Sequence, residues 1–125
     1  MAAINPVPNA PPLSYRIDGN EAVFFRRVSK TEFDISMKSG HLAPKSGGMS
    51  FGKHLTTTRE LAIIWGQLMV NRGWEKDIGH VLEIRLSAAI AEKVDFVGAK
   101  TDGIGACYFA SFEQLKNAKL SEAEI

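Results

Sequence analysis

The sequence predicts an α+β domain, a small antiparallel or mixed sheet carrying two to three packed helices, and three observations predict it. Short β-prone runs rich in aromatic and branched residues recur along the chain. Three of them lead into a Ser or Thr followed three positions later by Glu or Gln, the pattern of a capped helix start. A fourth, H-V-L-E-I-R-L, alternates with period two, as a half-buried strand does. At 125 residues, 45% of them hydrophobic and 23% charged, the chain has ordinary globular usage and is long enough to bury a core. The lone Cys107 excludes an internal disulfide, and no Cys/His spacing suggests zinc.

Taken in order, residues 1–14 hold four of the five prolines and read as an extended linker, which leaves 15–125 as one domain. The run A-V-F-F-R-R is a strand, and Ser29 with Glu32 caps a first helix over about 30–38 that presents Phe33 and Met37 and stops at Gly40. The stretch 39–50, with Gly40, Gly47 and Gly48, is a loop long enough to serve as a binding loop; its glycine and lysine spacing is not that of a P-loop. K-H-L-T is a strand, and Thr57 with Glu60 caps a second helix over about 58–71, whose Leu61, Ile64, Trp65, Leu68 and Met69 form one buried stripe. After H-V-L-E-I-R-L, the run A-A-I-A-E-K-V adds a short helix. Gly98, Gly103 and Gly105 punctuate a loop, A-C-Y-F-A is the last strand, and Ser111 with Gln114 caps the last helix.

Fifteen Lys and Arg against fourteen Asp and Glu give a net charge of +1, which carries no global argument for a polyanionic partner. The N-terminus shows no charged region followed by an apolar core, so no signal peptide is expected, and the longest apolar run, from Leu61 to Trp65, is far short of a membrane span.

The candidate chemistry clusters at the strand-to-helix junctions. On the strand K-H-L-T, Lys53, Leu55 and Thr57 share one face, while His54, Thr56 and Thr58 share the other. Hydroxyls beside a helix N-terminus suit an anionic or carboxamide ligand, although threonine is also simply a good cap and strand former. Arg26 and Arg27 point to opposite sides of their strand. An inward arginine needs a partner, and its guanidinium is a fork for phosphate or carboxylate. Glu113 lies in a first helical turn, where an acid is favoured by the helix dipole but could also steady a developing cation. His41, His54 and His80 are scattered and form no metal-ligand pair.

Read in order, F-F-R-R-V-S-K-T-E-F, K-S-G-H-L-A-P, F-G-K-H-L-T-T-T-R-E-L-A, V-L-E-I-R-L and D-G-I-G-A-C-Y-F-A-S-F-E-Q-L resemble the small ADP-ribosyltransferase-like domains at the ends of bacterial polymorphic toxins. The resemblance is one of pattern and order over about residues 22–116. It implies an ADP-ribosyltransferase-like fold and use of NAD as a substrate, with cleavage of the nicotinamide–ribose bond and transfer of ADP-ribose to an acceptor or to water, without a metal. By position it implies Arg26, Thr57 and Glu113 as the catalytic set, and Arg27, Lys53, His54, Thr56 and Thr58 as NAD-binding residues. The chain departs from the family in having no E-x-E or Q-x-E on a strand. The resemblance also implies a delivered effector acting in the cytoplasm of a target cell, with a cognate immunity protein as partner.

Two other readings fit the same residues. A metal-independent ribonuclease toxin domain, cutting tRNA, would use Lys53, His54, Arg27, Thr56 and His80 for acid–base work on a ribose hydroxyl and phosphate, against a near-neutral charge that is poor for RNA. A non-enzymatic interaction module would present its Phe and Trp residues to a protein.

Overall fold

The computed structural model describes residues 15–42 and 51–124; the linker expected over 1–14 and residues 43–50 of the expected binding loop lie outside them. The elements in chain order are β1 (Arg16–Asp18), β2 (Glu21–Val28), α1 (Lys30–Ser39), β3 (Gly52–Thr56), α2 (Arg59–Asn71), β4 (His80–Ser87), α3 (Ala88–Ala91), β5 (Asp95–Thr101), β6 (Gly105–Ser111), α4 (Phe112–Leu115) and β7 (Lys119–Ala123). The fold is α+β, as expected. The sheet is larger than expected, with seven strands and four helices among the described residues, and every pairing is antiparallel.

The sheet runs β5-β6-β3-β2-β4-β7, with β1 on β2. Its two central seams differ. β2 pairs with β4 along its whole length, from Glu21 opposite Ser87 to Val28 opposite His80. It meets β3 only where Phe25 lies opposite Thr56. Beyond that point the two strands part.

Alternation along the strands sorts the side chains onto two faces. Ala22, Phe24, Val28, Leu55, Leu82, Ile84, Leu86, Tyr108 and Ala110 form the core face, closed by Phe33 of α1, Ala91 of α3 and Leu115 of α4. The ring of Phe24 lies 4.9 Å from that of Tyr15 and 5.5 Å from that of Tyr108. The opposite face carries Phe25, Arg27, His54, Thr56 and Cys107 and is covered by α2.

The helix starts report which local signals won. Ser111 and Gln114 complete a full capping box at α4. At α1, Ser29 accepts from the Glu32 N–H, but the Glu32 carboxylate turns away from the cap. At α2 the cap is Thr58, which accepts from the Leu61 N–H, and not Thr57; Glu60 pairs with Arg59 instead of returning to a cap. Ser87 caps α3, a start with no Glu or Gln to announce it.

The buried stripe of α2 is Leu61, Ala62 and Gly66, turned from the expected one, so that Ile64 is exposed. Gly66 explains the turn: a Cβ there would lie 2.8 Å from Ile78 Cγ2 and 3.0 Å from Arg27 Cγ, so only glycine lets the helix approach this closely. On α1, Phe33 packs as expected while Met37 is exposed.

The segment read as a glycine loop is the β5–β6 hairpin. Gly98 lies within β5 and Gly105 begins β6. Asp102 and Gly103 at its tip have φ of 55° and 75°, and the Ile104 N–H donates to the Thr101 carbonyl, as a type I′ turn requires.

Candidate functional site: a cleft at the open seam

Where β2 and β3 part, the gap is filled by side chains instead of backbone pairing. Arg26 reaches across it. Its Nη1 donates to the His54 carbonyl at 3.0 Å, while Nε and Nη2 donate to the Glu32 carboxylate at 2.8 and 3.1 Å. Lys53, on the core face of β3, places its Nζ 3.3 Å from the same carboxylate. Burial pushes the Glu32 carboxyl up, but Arg26 and then Lys53 outweigh it and hold the group below its ordinary range. Glu32 is therefore ionised at neutral pH between Arg26 and Lys53.

Beside this bridge, under α2, lies a cleft of about 350 Å³ lined by Phe25, Arg26, Arg27, His54, Leu55, Thr56, Ala62, Trp65, Met69, Thr101, Asp102 and Cys107. That volume is within the range of small-molecule sites. Phe25, Trp65 and Met69 give it apolar walls. Asp102, on the β5–β6 turn, closes one side and accepts from Trp65 Nε1 at 3.3 Å. Burial and the nearby Arg26 charge lower the His54 pKa, with Asp102 pulling the other way, so its imidazole is neutral at pH 7. Its ring meets Phe109 edge to face at 5.1 Å. Cys107 is held protonated: burial first, then Asp102, push its thiol up to about 11.

Four of the residues singled out from the sequence line this cleft: Arg27, His54 and Thr56 from the α2 face, and Arg26 from the gap, where its strand position is on the core side and its guanidinium lies at Glu32. They do not contribute equally. Arg27 is buried and donates to the Ile78 and Asp77 carbonyls and to Glu75 at 3.0 Å, so its fork holds the chain entering β4. The Thr56 hydroxyl donates to the Ala106 carbonyl at 2.8 Å, which leaves it to a ligand only as an acceptor.

The others lie elsewhere. Lys53 is on the core face with its ammonium at Glu32. Thr57 and Thr58 line a second, open groove of about 680 Å³ with Arg16, Arg59, Glu60 and Glu83. Glu113 is exposed on α4 and lines neither cleft, so the expected trio of Arg26, Thr57 and Glu113 is not brought together. The ribonuclease set is divided as well, because His80 stacks on Phe33 at 4.0 Å and pairs with Glu122 on the far side of the sheet from His54.

Trp65, Thr101 and Asp102 are functional candidates that sequence reasoning missed. The D-G pair between two strand-like runs was the available signal for the turn that delivers Asp102.

Among the described residues, no group of three or more His, Cys, Asp or Glu could hold a metal ion, and no helix is long and apolar enough to cross a membrane. Comparison with family models, with curated proteins and with solved structures yields no match to this chain. The likeness to ADP-ribosyltransferase-like domains therefore stands on motif order alone.

Proposed function

We propose that the cleft at the open seam binds NAD and that the domain cleaves its nicotinamide–ribose bond, passing ADP-ribose to an acceptor or to water. The observation that carries this is the convergence in one cleft of a planar apolar wall, an arginine fork and a carboxylate. Trp65 and Phe25 suit a flat heteroaromatic ring. Arg26 has three N–H groups engaged with Glu32 and His54 among the described residues, and the rest of its fork suits a phosphate. Asp102 takes the part the resemblance gave to Glu113, that of a carboxylate facing the positive charge that develops on the ribose as nicotinamide leaves.

Such a reaction asks for positioning and charge stabilisation, and its nucleophile is the acceptor or water and not a side chain of the domain, which agrees with a protonated Cys107. Neutral His54 serves as a hydrogen-bond partner for a ribose hydroxyl or the carboxamide. In this reading the domain is an effector whose activity an immunity partner would block.

The test is nicotinamide release from NAD by the parent protein, by Arg26→Ala and by Asp102→Asn, with tRNA as a parallel substrate. Release by the parent, lost in both variants while their folding is intact, is the expected result. Cleavage of tRNA that depends on His54, with NAD untouched, would replace this reading with the ribonuclease one.

A further inference from the structure

Glu32 stands where a capping box would use it. Its backbone N–H donates to Ser29 Oγ at 3.1 Å, yet its carboxylate does not return to the cap, unlike Gln114, whose side chain accepts from the Ser111 N–H at 2.9 Å. The same local sequence grammar thus has two outcomes, and at α1 a tertiary partner has captured the acid. The carboxylate takes Arg26 in a two-point fork and Lys53 at its edge, with only 18% of its side chain exposed.

A lone ion pair on a surface fixes little. A fork in a partly buried gap fixes both the rotamer and the plane of the guanidinium.

We propose that Glu32 is a positioning residue for anion recognition at the open seam: it sets the plane of the Arg26 guanidinium so that its remaining N–H groups face the cleft. The ligand chemistry that a guanidinium held in a fixed plane favours is a phosphate or pyrophosphate group. The inference rests on the NAD reading for the identity of the ligand, though not for the coupling of Glu32 to Arg26.

Two measurements separate the two. The first is the Arg26 Nε–H resonance in 15N-labelled protein, which in the parent exchanges slowly with water and in Glu32→Gln and Glu32→Asp exchanges fast. Glu32→Asp keeps the charge but is too short for the fork, so it serves if Glu32→Gln does not fold. The second is titration with ADP-ribose, in which both variants are expected to raise the Kd about 10-fold to 100-fold, the equilibrium equivalent of one misdirected charge-assisted hydrogen bond. Ser29→Ala, which weakens the same helix start without touching the fork, is expected to leave the Kd unchanged.

An Arg26 resonance indifferent to both Glu32 variants, or an affinity equally lost in Ser29→Ala, overturns the proposal. A parent that binds no ADP-ribose while its Arg26 resonance still depends on Glu32 overturns the NAD reading and upholds the positioning.

Discussion

The two seams of β2 divide the work of the domain. On the β4 side the backbone pairs without interruption, and the residues that face the core there, Phe24, Leu82, Ile84 and Leu86, are almost fully buried. On the β3 side, Glu21–Val23 pair with β1, one pair is made with β3 at Phe25, and the seam beyond it is closed by Arg26, Glu32 and Lys53. A ladder of backbone bonds is sequence-tolerant and rigid. A seam closed by three charged side chains depends on each of them, and it can offer polar groups to a ligand. The contrast teaches that the candidate site arises where the sheet stops pairing.

The largest expected effect lies in the closed seam. Phe24→Ala removes a fully buried ring packed on Tyr15 and Tyr108 and should cost about 3–5 kcal/mol, read as a fall in the urea midpoint. Next is the open seam. Glu32→Gln removes the carboxylate that Arg26 and the buried Lys53 share and should cost about 2–3 kcal/mol at pH 7, below the loss at Phe24 because Arg26 keeps some access to water.

The two seams should also differ in acid. The folded pKa of Glu32 is held below its ordinary 4.5, so its contribution is fully present above that value and is lost as pH falls through the folded one. Parent stability should fall more steeply below pH 4.5 than that of Glu32→Gln, and parallel acid limbs for the two proteins would count against the bridge.

Arg27→Met should cost about 1–3 kcal/mol, since it removes the donors that hold the Ile78 and Asp77 carbonyls while leaving the partly exposed Glu75 to water. Nicotinamide release that survives Arg27→Met but not Arg26→Ala would sharpen the division between an arginine of the fold and an arginine of the cleft.

Much of the closed seam was legible in the sequence. H-V-L-E-I-R-L alternates because one face of β4 meets the core, and Ser29, Ser111 and the A-A-I-A run mark helix starts through bonds made within a few residues. The alternation of His54 and Thr56 against Lys53 and Leu55 was legible for the same local reason. The open seam was not. Nothing in A-V-F-F-R-R says that pairing with β3 ends at Phe25, because that is decided by the partner strand. β5 and β7 were missed because they are edge strands with little burial, so no apolar alternation is imposed on D-F-V-G-A-K-T or K-L-S-E-A. The buried stripe of α2 was misplaced because its key contact is made by Gly66, a residue that carries no hydrophobic signal.

The smallest expected effect concerns the single joint of the open seam. Thr56 pairs with Phe25, and two residues later α2 begins, so the residue that caps α2 fixes where the strand must end. Three consecutive threonines offer three chemically equivalent hydroxyls, and local sequence cannot choose among them. Tertiary structure chooses: Thr56 is committed to the Ala106 carbonyl, Thr57 is buried, and Thr58 is left extended, with its hydroxyl at the Leu61 N–H. Thr58→Ala should therefore cost about 1 kcal/mol and speed hydrogen exchange at the Leu61 amide, whereas Thr57→Ala should leave that amide protected. Faster exchange at the Glu60 amide in the Thr57 variant, with Leu61 indifferent to both variants, would move the start of α2 back by one residue. The two amides together therefore report where α2 begins, and with it where β3 must end beside the candidate site.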